Sequence, residues 1–386
     1  IIELCCGLNA PPNPTNLIRT VNCMTGSQSD VKAKIVDRTS EIEKLLEQRV
    51  LVLDGAWGTM IQGYGLEEED YRGERFKNYS QDIKGNNDIL CLTQPQIVEE
   101  IQRLYTEAGA DLLSTNTFTA TSIAQADYGL QDYAYEISLE SARIARRLAD
   151  EFTAKDPNKP RFVVGSIGPT NRTASISPDV NDPSFRNVTF EELVVAYAEN
   201  ARGLLDGGAD ILMIETAFDT LNAKAALFAL DQLFEELGVR VPIMVSGTIT
   251  DASGRTLTGQ TIEAFYASVS HLPLLSVGIN CALGSREMGQ YLRDLSPISR
   301  FFVSTHPNAG LPNEFGEYDE TAEFMASQAC GFIENGLVNI VGSCCGSTPV
   351  HTKAIADAVQ GMTPRKRTES GGNTLLSGLE LLEIRP

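Results

Sequence analysis

The sequence predicts an α/β protein of the (β/α)8 (TIM) barrel type. Eight short apolar runs occur along the chain, and each one follows a stretch with helical periodicity. Runs that are apolar throughout are typical of strands buried on both faces of a parallel sheet. Eight repeats of helix, turn and strand favour a closed barrel over an open doubly wound sheet. The predicted strands cover residues 50–53, 111–115, 162–166, 211–215, 242–246, 275–279, 301–305 and 338–342.

The ends of these repeats carry local signals. The first run is stopped by Asp54-Gly55, a pair that favours a tight turn. Thr93-x-x-Gln96 and Thr189-x-x-Glu192 each predict a capping box, in which the first side chain bonds a free backbone N–H of the helix. Both the repeats and their boundaries therefore agree with a parallel α/β fold.

Three segments are expected along the chain. Residues 1–40 contain a proline-rich stretch and a polar loop, and are expected to form a poorly ordered N-terminal extension. Residues 41–361 are expected to form the barrel. Residues 362–386 are rich in Thr, Ser and Gly before a short apolar end, and are expected to be a linker toward a further domain.

Composition excludes several classes of function. The chain has 31 basic and 51 acidic residues, for a net charge of −20, and such a surface repels phosphate backbones and anionic lipid. The sequence contains no run of eighteen apolar residues, so no membrane span is predicted. Eight cysteines without framework spacing in so long a chain indicate reduced thiols, so a cytoplasmic protein is expected.

Chemistry in such a barrel is expected at the carboxyl ends of the strands. Those ends carry polar and thiol side chains: Asp54, Asn116, Ser166, Glu215, Ser246, Cys281, His306, Cys344 and Cys345. Three converging thiolates suit zinc, and three protein ligands leave a fourth tetrahedral position open to a substrate thiol. The predicted reaction class is alkyl transfer to sulfur, with no separate protein base assigned.

Other interpretations of the same residues remain open. The cysteines could be core residues, although an adjacent pair between Gly342 and Gly346 is hard to bury in one strand. Alternatively, residues 342–348 could form a phosphate-binding loop, because barrels often bind phosphate after strands seven and eight.

Substrate contacts are expected around the same rim. Gly55 and Thr59 belong to a glycine turn where backbone N–H groups can approach a ligand. Asp54 and Glu215 could both receive the ammonium of an amino-acid substrate. The remaining candidate substrate-binding residues are Asn116, Ser166 and Asn280.

Five segments together resemble the homocysteine-binding domain of the homocysteine S-methyltransferases. The likeness extends from about residue 47 to 380, and its segments are 54–59, 87–90 with 94–95, 109–111 with 115–118, 278–281, and 342–346. Residues 71–76 and 376–380 resemble the branch of cobalamin-dependent methionine synthases in particular. Trp57 departs from the pattern, which has a smaller or more flexible residue there.

The resemblance implies zinc on Cys281, Cys344 and Cys345, homocysteine as substrate and methionine as product. It also implies that Asp54 and Glu215 hold the substrate's amino group. The methyl donor would be methylcobalamin, recharged by methyltetrahydrofolate, on folate- and cobalamin-binding domains of the same full-length chain. The alternatives are a cobalamin-independent homocysteine methyltransferase (betaine, S-methylmethionine or S-adenosylmethionine as donor) and a non-catalytic zinc-thiolate barrel.

Overall fold

The computed structural model describes residues 34–250, 253–312, 318–369 and 372–385 of the 386-residue chain. Most of the expected N-terminal extension, residues 1–40, lies outside these described residues. Within the described part, the first helix begins at Thr39.

Eight parallel strands form the barrel, and they confirm the predicted fold. They pair in the order β1-β8-β7-β6-β5-β4-β3-β2, and a parallel bridge between Leu53 and Leu112 joins the first strand to the second. The strands are β1 (Leu51–Val52), β2 (Leu112–Ser114), β3 (Phe162–Ile167), β4 (Ile211–Ala217), β5 (Ile243–Gly247), β6 (Ser276–Gly284), β7 (Phe302–Asn308) and β8 (Ile340–Val341).

Helices surround the strands and connect them. The described residues contain α1 (Thr39–Gln48), α2 (Trp57–Gln62), α3 (Glu68–Arg72), α4 (Leu90–Thr93), α5 (Pro95–Glu107), α6 (Ser122–Gln125), α7 (Ala134–Lys155), α8 (Phe190–Asp206), α9 (Thr220–Leu237), α10 (Ile262–Val269), α11 (Ser285–Ile298), α12 (Ala322–Glu334) and α13 (Pro349–Ala358). None of these helices combines the length and the apolar character that a membrane span requires.

The barrel interior is filled by side chains. Helix α1 covers the lower end of the barrel, where the strands begin, and the carboxyl ends of the strands form the upper end. Ile42 and Leu46 of α1 are fully buried in the cluster of side chains that fills the barrel. Arg49 of the same region pairs with Asp111 at 2.9 Å, just before β2. Barrels of this kind carry their ligand sites at the carboxyl ends of the strands, the end opposite to α1.

Residues between β1 and α5 build a second hydrophobic cluster beside the upper end. Ile61, Tyr71, Phe76 and Ile83 are buried there. Helices α2, α3 and α4 are therefore packed elements of the fold, close to the glycine turn that contains Gly55.

One of the two predicted capping boxes forms. Thr189 accepts from Glu192 N at the start of α8, and the Glu192 carboxylate accepts from Thr189 N. The prediction at Thr93 was wrong, because Thr93 is the last residue of α4 and its hydroxyl donates to the carbonyl of Ile89. Pro95 begins the next helix, a position where the missing N–H costs nothing.

The segment expected to be a linker makes contacts with the barrel. The buried Arg365 guanidinium donates to the carbonyls of Ser296, Ser299 and Phe301. A two-stranded hairpin follows, formed by β9 (Thr374–Ser377) and β10 (Leu381–Ile384). Its Ser377 hydroxyl donates to the carbonyl of Ala264 in α10 at 2.8 Å.

Candidate metal and substrate site

Three cysteine sulfurs meet at the upper end of the barrel. Cys281 lies in β6, and Cys344 and Cys345 lie three and four residues after the end of β8. The Sγ atoms of Cys281 and Cys345 are 3.8 Å apart, those of Cys344 and Cys345 are 4.0 Å apart, and all three lie within 4.8 Å of one another. Zn–S bonds of about 2.3 Å in a tetrahedron place the sulfurs about 3.8 Å apart. The arrangement therefore fits three ligands of one zinc ion.

An irregularity in β6 aims Cys281 at the other two cysteines. The pairing of β6 with β7 shifts register between Asn280 and Gly284. Within this shift, Cys281 and Ala282 both have φ of 58°, a left-handed conformation that costs free energy for residues with a Cβ. Bulges of this kind redirect a side chain, and this one turns the Cys281 sulfur toward Cys345.

Two glycines shape the loop that carries Cys344 and Cys345. A Cβ on Gly342 would lie 2.8 Å from the Cβ of Leu53. Gly346 has φ of 80°, and a Cβ there would lie 2.2 Å from the ring of Tyr318. The close approach of neighbouring groups therefore requires glycine at both positions.

Backbone N–H groups of this loop are already used within the protein. Cys344 N donates to the carbonyl of Pro307 at 2.7 Å, Ser347 N to the carbonyl of Cys344 at 3.1 Å, and Gly346 N to Thr59 Oγ1 at 2.9 Å. A phosphate-binding loop needs such groups free to point at its ligand. These hydrogen bonds therefore speak against the phosphate interpretation.

The three thiols affect one another's ionisation. Hydrogen bonds from Cys281 and Cys344 lower the pKa of Cys345. Hydrogen bonds to Cys281 and Cys345 raise the pKa of Cys344 well above its ordinary value. A full set of three thiolates therefore needs a cation to balance it, and soft sulfur ligands favour zinc among the common divalent metals.

A cavity of about 290 Å³ opens beside the sulfurs. Most of the candidate residues from the sequence line it: Asp54, Gly55, Thr59, Asn116, Ser166, Glu215, Cys281, Cys344 and Cys345. Asn280 does not line it. Its fully buried side chain accepts from Thr216 N at 2.9 Å and donates to Thr216 Oγ1 at 2.8 Å, which holds Thr216 in a left-handed conformation.

Asp54 is held firmly by three donors. Its Oδ1 accepts from Ser114 Oγ at 2.7 Å, and its Oδ2 accepts from Ser114 N at 2.8 Å and Gln102 Nε2 at 2.9 Å. Burial raises the pKa of Asp54 to about 8 despite these hydrogen bonds. The sequence reasoning did not include Ser114 and Gln102. Ser114 is the last residue but one of the predicted strand 111–115 and could have been found by its position near a strand end, whereas Gln102 lies within a helix.

Glu215 is held more loosely. Its Oε1 accepts from Ser166 Oγ at 2.5 Å, and its Oε2 lies 3.6 Å from His306 Nε2. Its position at the end of β4 is bordered by a register shift between Ile214 and Ala217, so this carboxylate also lies at a bulge. Glu215 keeps capacity to accept a further donor from the cavity.

Trp57 and Asn116 form polar contacts at the wall of the cavity. The Trp57 indole N–H donates to Ser114 Oγ at 3.3 Å, so the large residue is tied to the partner of Asp54. The amide of Asn116 donates to the carbonyl of Asn87 at 2.8 Å. Both side chains therefore shape the wall through contacts within the protein.

Comparisons with known proteins show the family and support the fold. The homocysteine S-methyltransferase family matches residues 51–359, most of the chain. The metallated form of the homocysteine methyltransferase MmuM from Escherichia coli superposes with a TM-score of 0.62 at 22% identity, covering 82% of this chain and 98% of MmuM. Its apo form gives a TM-score of 0.58 at 21% identity, covering 81% and 97%. The solved structures support the fold, and the match over residues 51–359 shows that the chain belongs to the homocysteine S-methyltransferase family.

Proposed function

We propose that this protein binds homocysteine and activates its thiol on a zinc ion for methyl transfer, giving methionine. The observation that carries the proposal is the placement of three sulfurs within 4.8 Å of one another at one side of a cavity that also contains Asp54 and Glu215. A metal on the sulfurs can bind a substrate thiol, and a carboxylate can bind a substrate ammonium. A thiol-bearing amino acid carries both of these groups.

Cys281, Cys344 and Cys345 would hold the zinc ion. When bound, zinc with three thiolate ligands has a fourth position for the substrate sulfur, lowers the pKa of that thiol and leaves the sulfur electron-rich as a nucleophile. The left-handed backbone at Cys281 and the close packing around Gly346 hold the three sulfurs in place before any ligand binds.

Glu215 is the proposed receptor for the substrate ammonium. No lysine or arginine is among the described residues that line the cavity, whereas the Glu215 carboxylate is. The cavity therefore favours a cationic ammonium group beside Glu215 over an anionic group. Asp54 already accepts three hydrogen bonds from Ser114 and Gln102, and burial raises its pKa to about 8, so we assign it to the shape of the wall rather than to the closest contact.

The size of the cavity bears on the methyl donor. A volume of about 290 Å³ is at the lower end of ligand pockets, which are roughly 300–1,000 Å³, and suits an amino acid. We propose methylcobalamin as the donor, presented from outside the cavity by folate- and cobalamin-binding domains of the same full-length chain. The resemblance of residues 71–76 and 376–380 to cobalamin-dependent methionine synthases supports this choice. We also propose a cytoplasmic location, where thiols stay reduced.

One assay tests the activity and the donor together. Protein purified with a reductant is analysed for zinc and incubated with homocysteine and, separately, methylcobalamin, S-methylmethionine, betaine or S-adenosylmethionine. We expect one zinc per chain and methionine from methylcobalamin. Methionine from one of the other donors alone would reject the cobalamin assignment. Zinc and homocysteine binding without methionine from any donor would favour a non-catalytic thiol-binding barrel.

A further inference from the structure

His306 is a buried histidine whose ring has no hydrogen-bond partner among the described residues. It lies at the end of β7, its exposed fraction is 2%, and neither Nδ1 nor Nε2 is hydrogen bonded. A buried polar group without a partner costs free energy, and native proteins rarely keep one without a functional reason. An apolar residue would fill the same space without this cost.

The ring faces the cavity beside Glu215. His306 is among the residues that line the cavity, and its Nε2 lies 3.6 Å from Glu215 Oε2. The other oxygen of the same carboxylate accepts from Ser166 Oγ at 2.5 Å. The Glu215 carboxylate therefore has the Ser166 hydroxyl of β3 at one oxygen and the His306 ring of β7 beside the other.

A role as metal ligand does not explain this placement. The cluster of possible ligand atoms in the described residues contains the three cysteine sulfurs and does not include a His306 nitrogen. The Nε2 of His306 instead lies 3.6 Å from Oε2 of Glu215.

We propose that His306 is a positioning residue for Glu215 in the recognition of the substrate's amino group. Nε2–H donates to Glu215 Oε2 as the substrate binds, and with Ser166 it fixes the carboxylate in the orientation that receives the ammonium. A separation of 3.6 Å is slightly too long for a hydrogen bond, but such bonds in substrate-free sites are often long and tighten in the complex. This inference rests on the proposed function, because it assumes an amino-acid substrate.

A pair of thiols isolates this role. 4-Mercaptobutanoate is homocysteine without its amino group, so it can bind through sulfur but cannot contact Glu215 through an ammonium. Dissociation constants of both thiols are measured by calorimetry on zinc-loaded wild-type protein, His306→Leu and His306→Gln. We expect His306→Leu to weaken homocysteine about tenfold and leave 4-mercaptobutanoate unchanged. His306→Gln keeps a donor near the Nε2 position and should restore homocysteine binding to within about threefold of wild type.

The Glu215→Gln variant shows whether His306 acts through Glu215. In that background, adding His306→Leu should change the homocysteine dissociation constant by less than about twofold, since residues that act through one contact are not additive. If the leucine variant does not fold, His306→Met replaces it with the same expected results. His271→Leu, a change outside the cavity, is the matched control and should bind both thiols as wild type does.

The outcomes separate this inference from the proposed function. Equal weakening of both thiols by His306→Leu would show a structural role and overturn the inference alone. Full additivity with Glu215→Gln would also overturn it. Wild-type protein that contains zinc but binds neither thiol would overturn the proposed function, and the inference with it.

Discussion

The sulfur side and the carboxylate side of the cavity are held in different ways. On the sulfur side, backbone conformation places the ligands, with φ of 58° at Cys281 and 80° at Gly346. On the carboxylate side, side-chain hydrogen bonds place Asp54 and Glu215, through Ser114, Gln102 and Ser166. Backbone strain is supported by the whole barrel, whereas a side-chain hydrogen bond can be removed by one substitution. The two sides should therefore respond independently to mutation.

The largest expected effect is on the sulfur side. Cys345→Ala removes the sulfur that lies 3.8 Å from Cys281 Sγ and 4.0 Å from Cys344 Sγ. We expect zinc affinity to fall by at least about 100-fold, with homocysteine binding lost in parallel. Zinc per chain after dialysis against a competing chelator measures the effect. The matched control is Cys330→Ala, a half-buried cysteine on α12 that should keep its zinc. Full zinc and full homocysteine binding in Cys345→Ala would refute the three-ligand site.

A second prediction concerns the carboxylate side and its dependence on pH. Burial raises the pKa of Asp54 to about 8, so the folded protein keeps a proton that the unfolded chain loses near pH 4. The stability linked to Asp54 is therefore fully present below about pH 4 and is lost as pH rises toward 8. The loss is at most about 1.4 kcal/mol per pH unit.

Asp54→Asn lacks this titration and tests it. The Tm of wild-type protein and of the variant is measured in EDTA, so that metal binding adds no pH dependence. From pH 5 to pH 8, the Tm of wild-type protein should fall relative to that of the variant. Zinc affinity of the variant at neutral pH should stay near that of wild type, because the sulfur side is held by the backbone. Parallel Tm curves would show that Asp54 is ionised throughout this range.

The fold could be predicted from the sequence because strands buried on both faces of the sheet are apolar at nearly every position. This pattern does not depend on the details of side-chain packing. All eight predicted strands occur, and each begins within two residues of its predicted start. The capping box at Thr93 was wrong because a neighbouring proline decided the helix boundary there. Local motifs compete with each other, whereas the apolar runs of the strands do not.

Conformation at the site was harder to predict than residue identity. The cysteines and Glu215 could be placed at strand ends, but the irregularity in β6 that aims Cys281 and the one in β4 beside Glu215 leave no residue pattern. Asn280 was expected to contact substrate, and its side chain instead supports Thr216 beside the cavity. The ring of His306 could be placed near the cavity from its strand, but its lack of partners depends on packing from several strands.

The smallest expected effect comes from the contact that joins the glycine turn to the cysteine loop. Thr59 Oγ1 accepts from Gly346 N at 2.9 Å, so a side chain after β1 supports the loop that carries Cys344 and Cys345. Thr59→Val keeps the shape but removes the acceptor, which leaves Gly346 N unpaired and should lower zinc affinity about two- to fivefold. Thr59→Ser keeps the hydroxyl and is the matched control, measured by competition with a zinc chelator. A loss as large as that of Cys345→Ala would mean that side chains, and not the backbone alone, hold the sulfur side in place.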